Sequence, residues 1–217
     1  MELPASRTAC CRAGRDNGSP LAEISLAADQ KKASTTRSLL IFLDESGFCE
    51  CPSVRRTWAP RGKPPVLVVP FNWKRLSAIA SLITTSAGRR VGLCLRLHPG
   101  SIKQPQIIDY LRALKRHLRG RKAILLWDRL PAHRGRHVQA YLRRQASWLT
   151  VEYLPPYAPE LNPTEYFWSY LSGNDLMANF PGENLQQVRR QTRRVACRVR
   201  HRSQLGRAFL KHSGLFR

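Results

Sequence analysis

Apolar residues fall along this chain either in short unbroken runs or at helical spacing. Residues 38–44 (SLLIFLD) and 123–128 (AILLWD) are continuous apolar runs that each end in an acid, and both predict buried strands. Residues 77–85 and 91–97 predict two further strands, joined as a hairpin across 86–90. Over residues 104–118, Ile107, Ile108, Leu111, Leu114 and Leu118 recur with helical period, and Gly120 stops that helix. Pro131 opens a second predicted helix reaching about Ala146, and residues 148–153 predict a short strand. Leu185, Val188, Thr192, Val195 and Val199 mark an amphipathic basic helix over 184–200. The order strand, strand, strand, helix, strand, helix, strand, helix predicts an α/β fold. Its mixed sheet begins with antiparallel strands, continues with parallel ones and is covered by helices on its faces.

The same pattern divides the chain. Residues 1–37 are polar and rich in small side chains, with a weak helical hint over 21–28, and are expected to be poorly ordered. Residues 38–180 form the expected folded domain, and residues 181–217 a basic C-terminal helix and tail. Within the domain, residues 48–75 form a long basic connection punctuated by Pro60, Gly62, Pro64 and Pro65. Arg55, Arg56, Trp58, Arg61, Lys63, Lys74 and Arg75 interleave cations with tryptophan there, a mix suited to phosphates and bases. The alternative is a solvated loop with Trp58 packed on the core.

Charge sharpens this picture. Lys and Arg number 37 against 14 Asp and Glu, a net charge of +23 and a pI of about 11.1. Solubility needs a net charge of only about 2–8, so the excess points to a polyanion, and nucleic acid is the expected partner. No apolar run reaches the roughly 18 residues of a membrane span, and the N-terminus has no signal-peptide core. Cys10, Cys11, Cys49, Cys51, Cys94 and Cys197 include no C-x-x-C pair, so they read as reduced thiols of a cytosolic protein.

The stretch 154–171 (LPPYAPELNPTEYFWSYL) passes from a proline-rich turn into an aromatic helix. Asn162 suits the N-cap, Pro163 the first helical position and Glu165 the third. Glu165 then has two readings: a capping-box partner that reaches back to Asn162, or a metal-binding carboxylate on a rigid helix start. Asp44 and Asp128 favour the second, because ligands of open α/β sheets gather where strands end. A carboxylate ending a buried run needs neutralising. Divalent metal does this, and two ions held by three carboxylates support in-line displacement at phosphorus. Glu45 adjoins Asp44, but neighbouring strand residues face opposite ways, and Asp44 is the favoured ligand. Asp109 and Glu152 read as surface or structural acids.

The segments LLIFLDESGF, LLWDRLPAHRG and EYLPPYAPELNPTEYFW resemble, in order, the three motif blocks of DDE transposases, most closely the bacterial insertion-sequence branch of the mariner-like superfamily. Trp58-Ala59-Pro60-Arg61-Gly62 resembles that family's Trp-x-Pro-basic-Gly element, and the 37 positions from Asp128 to Glu165 suit the branch. The resemblance covers roughly residues 38–180. It implies an RNase H-like catalytic domain with Asp44, Asp128 and Glu165 binding two Mg²⁺ or Mn²⁺ ions. It further implies hydrolytic cleavage at transposon ends, then joining of the freed 3′-hydroxyl to target DNA. His133 matches a histidine common in the second block, there to position nucleophile or phosphate; the alternative is a structural helix-start histidine. Implied partners are double-stranded transposon-end and target DNA, with the protein as a homodimer or in a mixed complex with a full-length transposase. The implied setting is cytoplasmic and nucleoid-associated. The residues before Asp44 do not read as a helix-turn-helix, so the expectation includes a copy truncated at its N-terminus. The rival expectation is a catalytically silent DNA-binding remnant.

Overall fold

The protein is described here from a computed structural model, covering residues 20–50, 58–63, 66, 74–156, 158–173, 179 and 184–216, with backbone alone over 20–27. Five strands form one sheet: β1 Leu39–Cys49, β2 Arg75–Thr84, β3 Val91–Pro99, β4 Ala123–Trp127 and β5 Leu149–Tyr153, in the spatial order β3-β2-β1-β4-β5. The first three pair antiparallel, and β4 and β5 run parallel to β1. The helices are α1 Pro20–Thr35, α2 Gln104–His117, α3 Arg136–Arg144, α4 Pro163–Gly173, α5 Leu185–His201 and α6 Ser203–His212. The mixed sheet expected from the sequence is therefore present, meander first and parallel strands after.

Alternation along β1 and β4 separates two cores. Leu40, Phe42, Ile124 and Leu126 pack with Phe167 of α4, Val195 of α5 and Phe209 of α6. Ile41, Leu43, Leu125 and Trp127 pack on the opposite face with Ile107 and Leu111 of α2 and Val138 and Leu142 of α3. β1 and β4 are buried on both faces, which is why they read as unbroken apolar runs.

Several boundaries differ from the sequence reading. β1 does not end at Asp44; it runs on through Glu45-Ser46-Gly47 because β2 pairs with it as far as Cys49 opposite Arg75. Ladder hydrogen bonds here outweigh the local preference of Gly for a turn. The helix after β4 starts at Arg136 rather than Pro131. Residues 131–134 form turns instead, in which the His133 N–H donates to the Leu130 carbonyl at 3.0 Å. The start of α3 is held from outside: the His137 N–H donates to Oε1 of Gln104, the first residue of α2, at 3.1 Å.

Residues 20–35 are helical where a poorly ordered segment was expected. Ala33 of that helix is buried in the core shared with β1. The C-terminal helices are likewise part of the core rather than a tail: Val188, Val195, Val199, Phe209 and Leu210 are all buried there. Each such side chain contributes about 1.5–3 kcal/mol by leaving water. The sequence reading had no counterpart of α6. Gly206 lets its backbone approach β3, where an added Cβ would lie 2.9 Å from Val91.

Candidate active site

Phe42 of β1 pairs with Leu126 of β4 in parallel register. Asp44 lies two residues beyond Phe42, and Asp128 two beyond Leu126. The two acids therefore stand level on neighbouring chain segments and on one face. Glu165 comes to them from the first turn of α4. All three line one pocket of about 470 Å³, together with Arg129, Pro155, Pro156 and Asn162. The sequence reading missed Arg129, the cation in that wall; its only signal was adjacency to Asp128.

The start of α4 is fastened to β1. The Thr164 hydroxyl donates to the Phe42 carbonyl at 2.8 Å, and the Asn162 amide donates to the Leu43 carbonyl over a long 3.5 Å. Asn162 is the cap expected: its Oδ1 accepts from the Thr164 N–H at 3.1 Å. Its own N–H, however, donates to the Pro159 carbonyl at 2.9 Å. The donor needed for a capping box is thus engaged, and Glu165 turns to the pocket instead.

Burial and mutual repulsion shape the acids. Asp44 is only 6% exposed. Desolvation first, then the charges of Glu165 and Glu45, push its pKa up to about 8. The Trp168 indole N–H opposes this by donating to Asp44 Oδ2 at 2.9 Å. Burial, then Asp128, also raises Glu165 above the usual carboxylate range. Trp168 was not anticipated, although its position three residues after Glu165 places both on one helix face.

His133 joins the two faces of the sheet. Its Nδ1 lies 2.5 Å from Asp128 Oδ1 and its Nε2 3.0 Å from Glu45 Oε2. The ring is buried and stacks on Trp127 with centroids 3.7 Å apart. Burial pushes this imidazole down, but the bonds to Asp128 and Glu45 together outweigh it and hold its pKa at about 9. An imidazolium donating from both nitrogens is the form that satisfies both acids. Glu45 does point away from Asp44's face, as alternation requires, and there it orients the histidine that holds Asp128. Among the described residues, no group of three or more His, Cys, Asp or Glu lies close enough together to grip a metal ion.

The expected DNA-contacting residues lie elsewhere. Arg55 and Arg56 fall outside the described residues. Trp58 is fully exposed, which excludes its packing on the core. Arg61, Lys63, Lys74 and Arg75 are also exposed, and none of these lines the acidic pocket. Asp109 pairs with Arg112 at 3.0 Å and Glu152 with Lys32 at 2.6 Å, both in partly exposed surface ion pairs, within the surface or structural role expected of them. Among the described residues, no helix is long and apolar enough to cross a membrane.

A family profile described as DDE superfamily endonuclease matches residues 39–184, more than half of the chain. The chain belongs to that family. Among solved structures it is similar to three complexes of the mariner transposase Mos1. The paired-end complex with Mg is 18% identical with a TM-score of 0.59, covering 89% of this chain and 58% of that one. The paired-end complex with the left transposon end is 19% identical with a TM-score of 0.55, covering 90% and 61%. The paired-end complex with Mn is 19% identical with a TM-score of 0.54, covering 89% and 60%. At this identity the likeness is one of fold, and it establishes the RNase H-like architecture. The chain spans about three-fifths of those proteins' length. No curated protein sequence matches it significantly.

Proposed function

We propose that this chain is the DDE endonuclease domain of a transposase of the bacterial insertion-sequence branch, cutting DNA at element ends and joining the freed end to target DNA. The observation that carries the reading is the level placement of Asp44 in β1 and Asp128 just past the end of β4, with Glu165 facing them in one pocket. The donor set is oxygen-only, as Mg²⁺ and Mn²⁺ prefer. Burial, and then repulsion among these acids, raises Asp44 and Glu165, and a divalent cation would relieve the repulsion. Asp44, Asp128 and Glu165, which share the pocket but do not stand close enough together to grip an ion, would have to draw together to hold two such ions, which would then supply Lewis-acid stabilisation of the attacking and leaving oxygens.

The chain's own residues prepare the pocket for that role. Trp168 fixes one oxygen of Asp44, and His133, oriented by Glu45, fixes one oxygen of Asp128. In the first step water attacks phosphorus and the bond to the 3′-oxygen breaks, leaving a 3′-hydroxyl and a 5′-phosphate. In the second, that hydroxyl attacks phosphorus in target DNA and displaces a new 3′-hydroxyl. Neither step requires a protein nucleophile. Arg61, Lys63, Lys74 and Arg75, with Arg55, Arg56 and Trp58, are the residues proposed to contact double-stranded DNA. The protein would act as a homodimer, or in mixed complexes with a full-length transposase, in the cytoplasm at the nucleoid.

The test is a nicking and strand-transfer assay on plasmid DNA with Mg²⁺ or Mn²⁺, wild type beside Glu165→Gln. Cleavage by the wild type and its loss in the variant support the proposal. Folded, DNA-bound wild type that cleaves with neither metal overturns it and leaves a DNA-binding remnant.

A further inference from the structure

β3 is one of the two edge strands of the sheet, and α5 packs against it. Between them runs a cleft of about 630 Å³, separate from the acidic pocket and sharing no lining residue with it. Arg96 of β3 and Arg189, Arg193 and Arg200 of α5 line this cleft. All four are exposed, and among the described residues none has a carboxylate within ion-pairing distance. Arg200 is nonetheless placed rather than loose: its Nε donates to the Leu93 carbonyl at 2.9 Å, fixing α5 to the strand edge.

The local sequence makes this arrangement costly. α5 carries six arginines and no acid. Arg189 and Arg193 stand one turn apart, where like charges destabilise a helix. A merely solvated helix face would carry interspersed acids. The three α5 arginines also follow one stripe. At 1.5 Å per residue, Arg189 to Arg200 spans about 16 Å, comparable to five nucleotides of one strand at about 3.4 Å each.

We infer that the β3–α5 cleft is a second binding site, which takes the phosphate backbone of double-stranded DNA outside the acidic pocket. This rests on the reading of DNA as the substrate and adds where a further length of that DNA lies. Arginine forks suit phosphate oxygens. Contacts made only to the backbone position a duplex without reading its sequence.

The experiment measures binding of the full chain to a 30-base-pair duplex by fluorescence anisotropy across a salt series, in EDTA. Arg96→Gln/Arg189→Gln/Arg193→Gln is compared with Arg116→Gln/Arg121→Gln/Arg143→Gln, which removes the same charge elsewhere, and circular dichroism checks that both fold. The cleft variant should lower the slope of log K against log salt by about 2–3 and weaken binding at least about tenfold near 0.1 M salt. The control variant should change both less, and Arg→Lys at the three cleft positions should restore the slope. Equal effects of the two Gln triples, or an unchanged slope in the cleft variant, would overturn the site. Loss confined to an RNA duplex would overturn DNA as its ligand. Because no metal is present, a failure here is distinct from a failure of cleavage, which the plasmid assay reads separately.

Discussion

The acidic pocket and the arginine cleft are opposite solutions to holding like charges together. In the pocket, three carboxylates are drawn in by the fold, and Asp44 is almost wholly buried, so desolvation and repulsion raise its pKa. In the cleft, four arginine side chains stay exposed to water. On the proposed reading, the first arrangement would take a small, hard cation that can enter and neutralise it. The second selects an extended anion that can lie along it, weakly at each contact and strongly in sum. Burial, more than charge count, decides which kind of partner each cluster can take.

The comparison breaks most visibly at the pocket. Asp44→Asn, Asp128→Asn and Glu165→Gln should each lower metal-dependent plasmid nicking beyond the roughly 10–100-fold typical of losing a residue behind a metal ligand. DNA affinity in EDTA should stay close to wild type. Nicking within tenfold of wild type in any of the three would remove that residue from the site. Glu45→Gln, which keeps a partner for His133 and removes the charge, should fall within that 10–100-fold range. A Glu45→Gln enzyme of full activity would show that Asp128 does not need an oriented imidazolium.

A smaller effect tests the burial itself. Asp44 has an ordinary pKa of 3.8 and a folded value of about 8. Between those values the folded chain holds a proton that the unfolded chain has released, so metal-free stability falls as pH rises. The decline from this group is at most about 1.4 kcal/mol per pH unit. His133, raised from 6.5 to about 9, adds a decline of the same sign above neutrality. Urea unfolding in EDTA at several pH values should show this slope, and Asp44→Asn should flatten it from about pH 4 to 8. Mg²⁺ at pH 8 should raise the wild-type Tm and leave Asp44→Asn nearly unmoved; equal shifts would place the ion elsewhere. Smallest and away from both clusters, Gly206→Ala should destabilise the chain by about 1–3 kcal/mol by pressing α6 off Val91, as measured by chemical denaturation.

Much of this site was legible because its acids follow apolar runs. Asp44 and Asp128 stand out in the sequence, and the turn rich in proline marks the approach to Glu165. What no local pattern carries is pairing. The level placement of the two aspartates depends on Phe42 meeting Leu126, a register between segments more than eighty residues apart. The continuation of β1 through Gly47 depends on β2 lying beside it. α3 starts late because Gln104, from another helix, supplies its cap. The second role of Glu45 needed the sheet's other face, where His133 waits behind Trp127. α1, rich in Ala, Lys and Ser, has almost no amphipathic signal to read and is placed by tertiary contacts such as Ala33.

The hydrogen bonds from Thr164 and Asn162 to the carbonyls of Phe42 and Leu43 tie the third acid to the strand of the first, independently of the chain that separates it from the second. Spacing between Asp128 and Glu165 is therefore slack that the architecture can absorb. Residues inserted at the exposed turn around Ser147 would lengthen the path between the two acids without moving the third. For engineering, the chain has a ready point at which to accept a tag or a fused domain while the pocket keeps its shape, and plasmid nicking by such an insertion variant would test it directly.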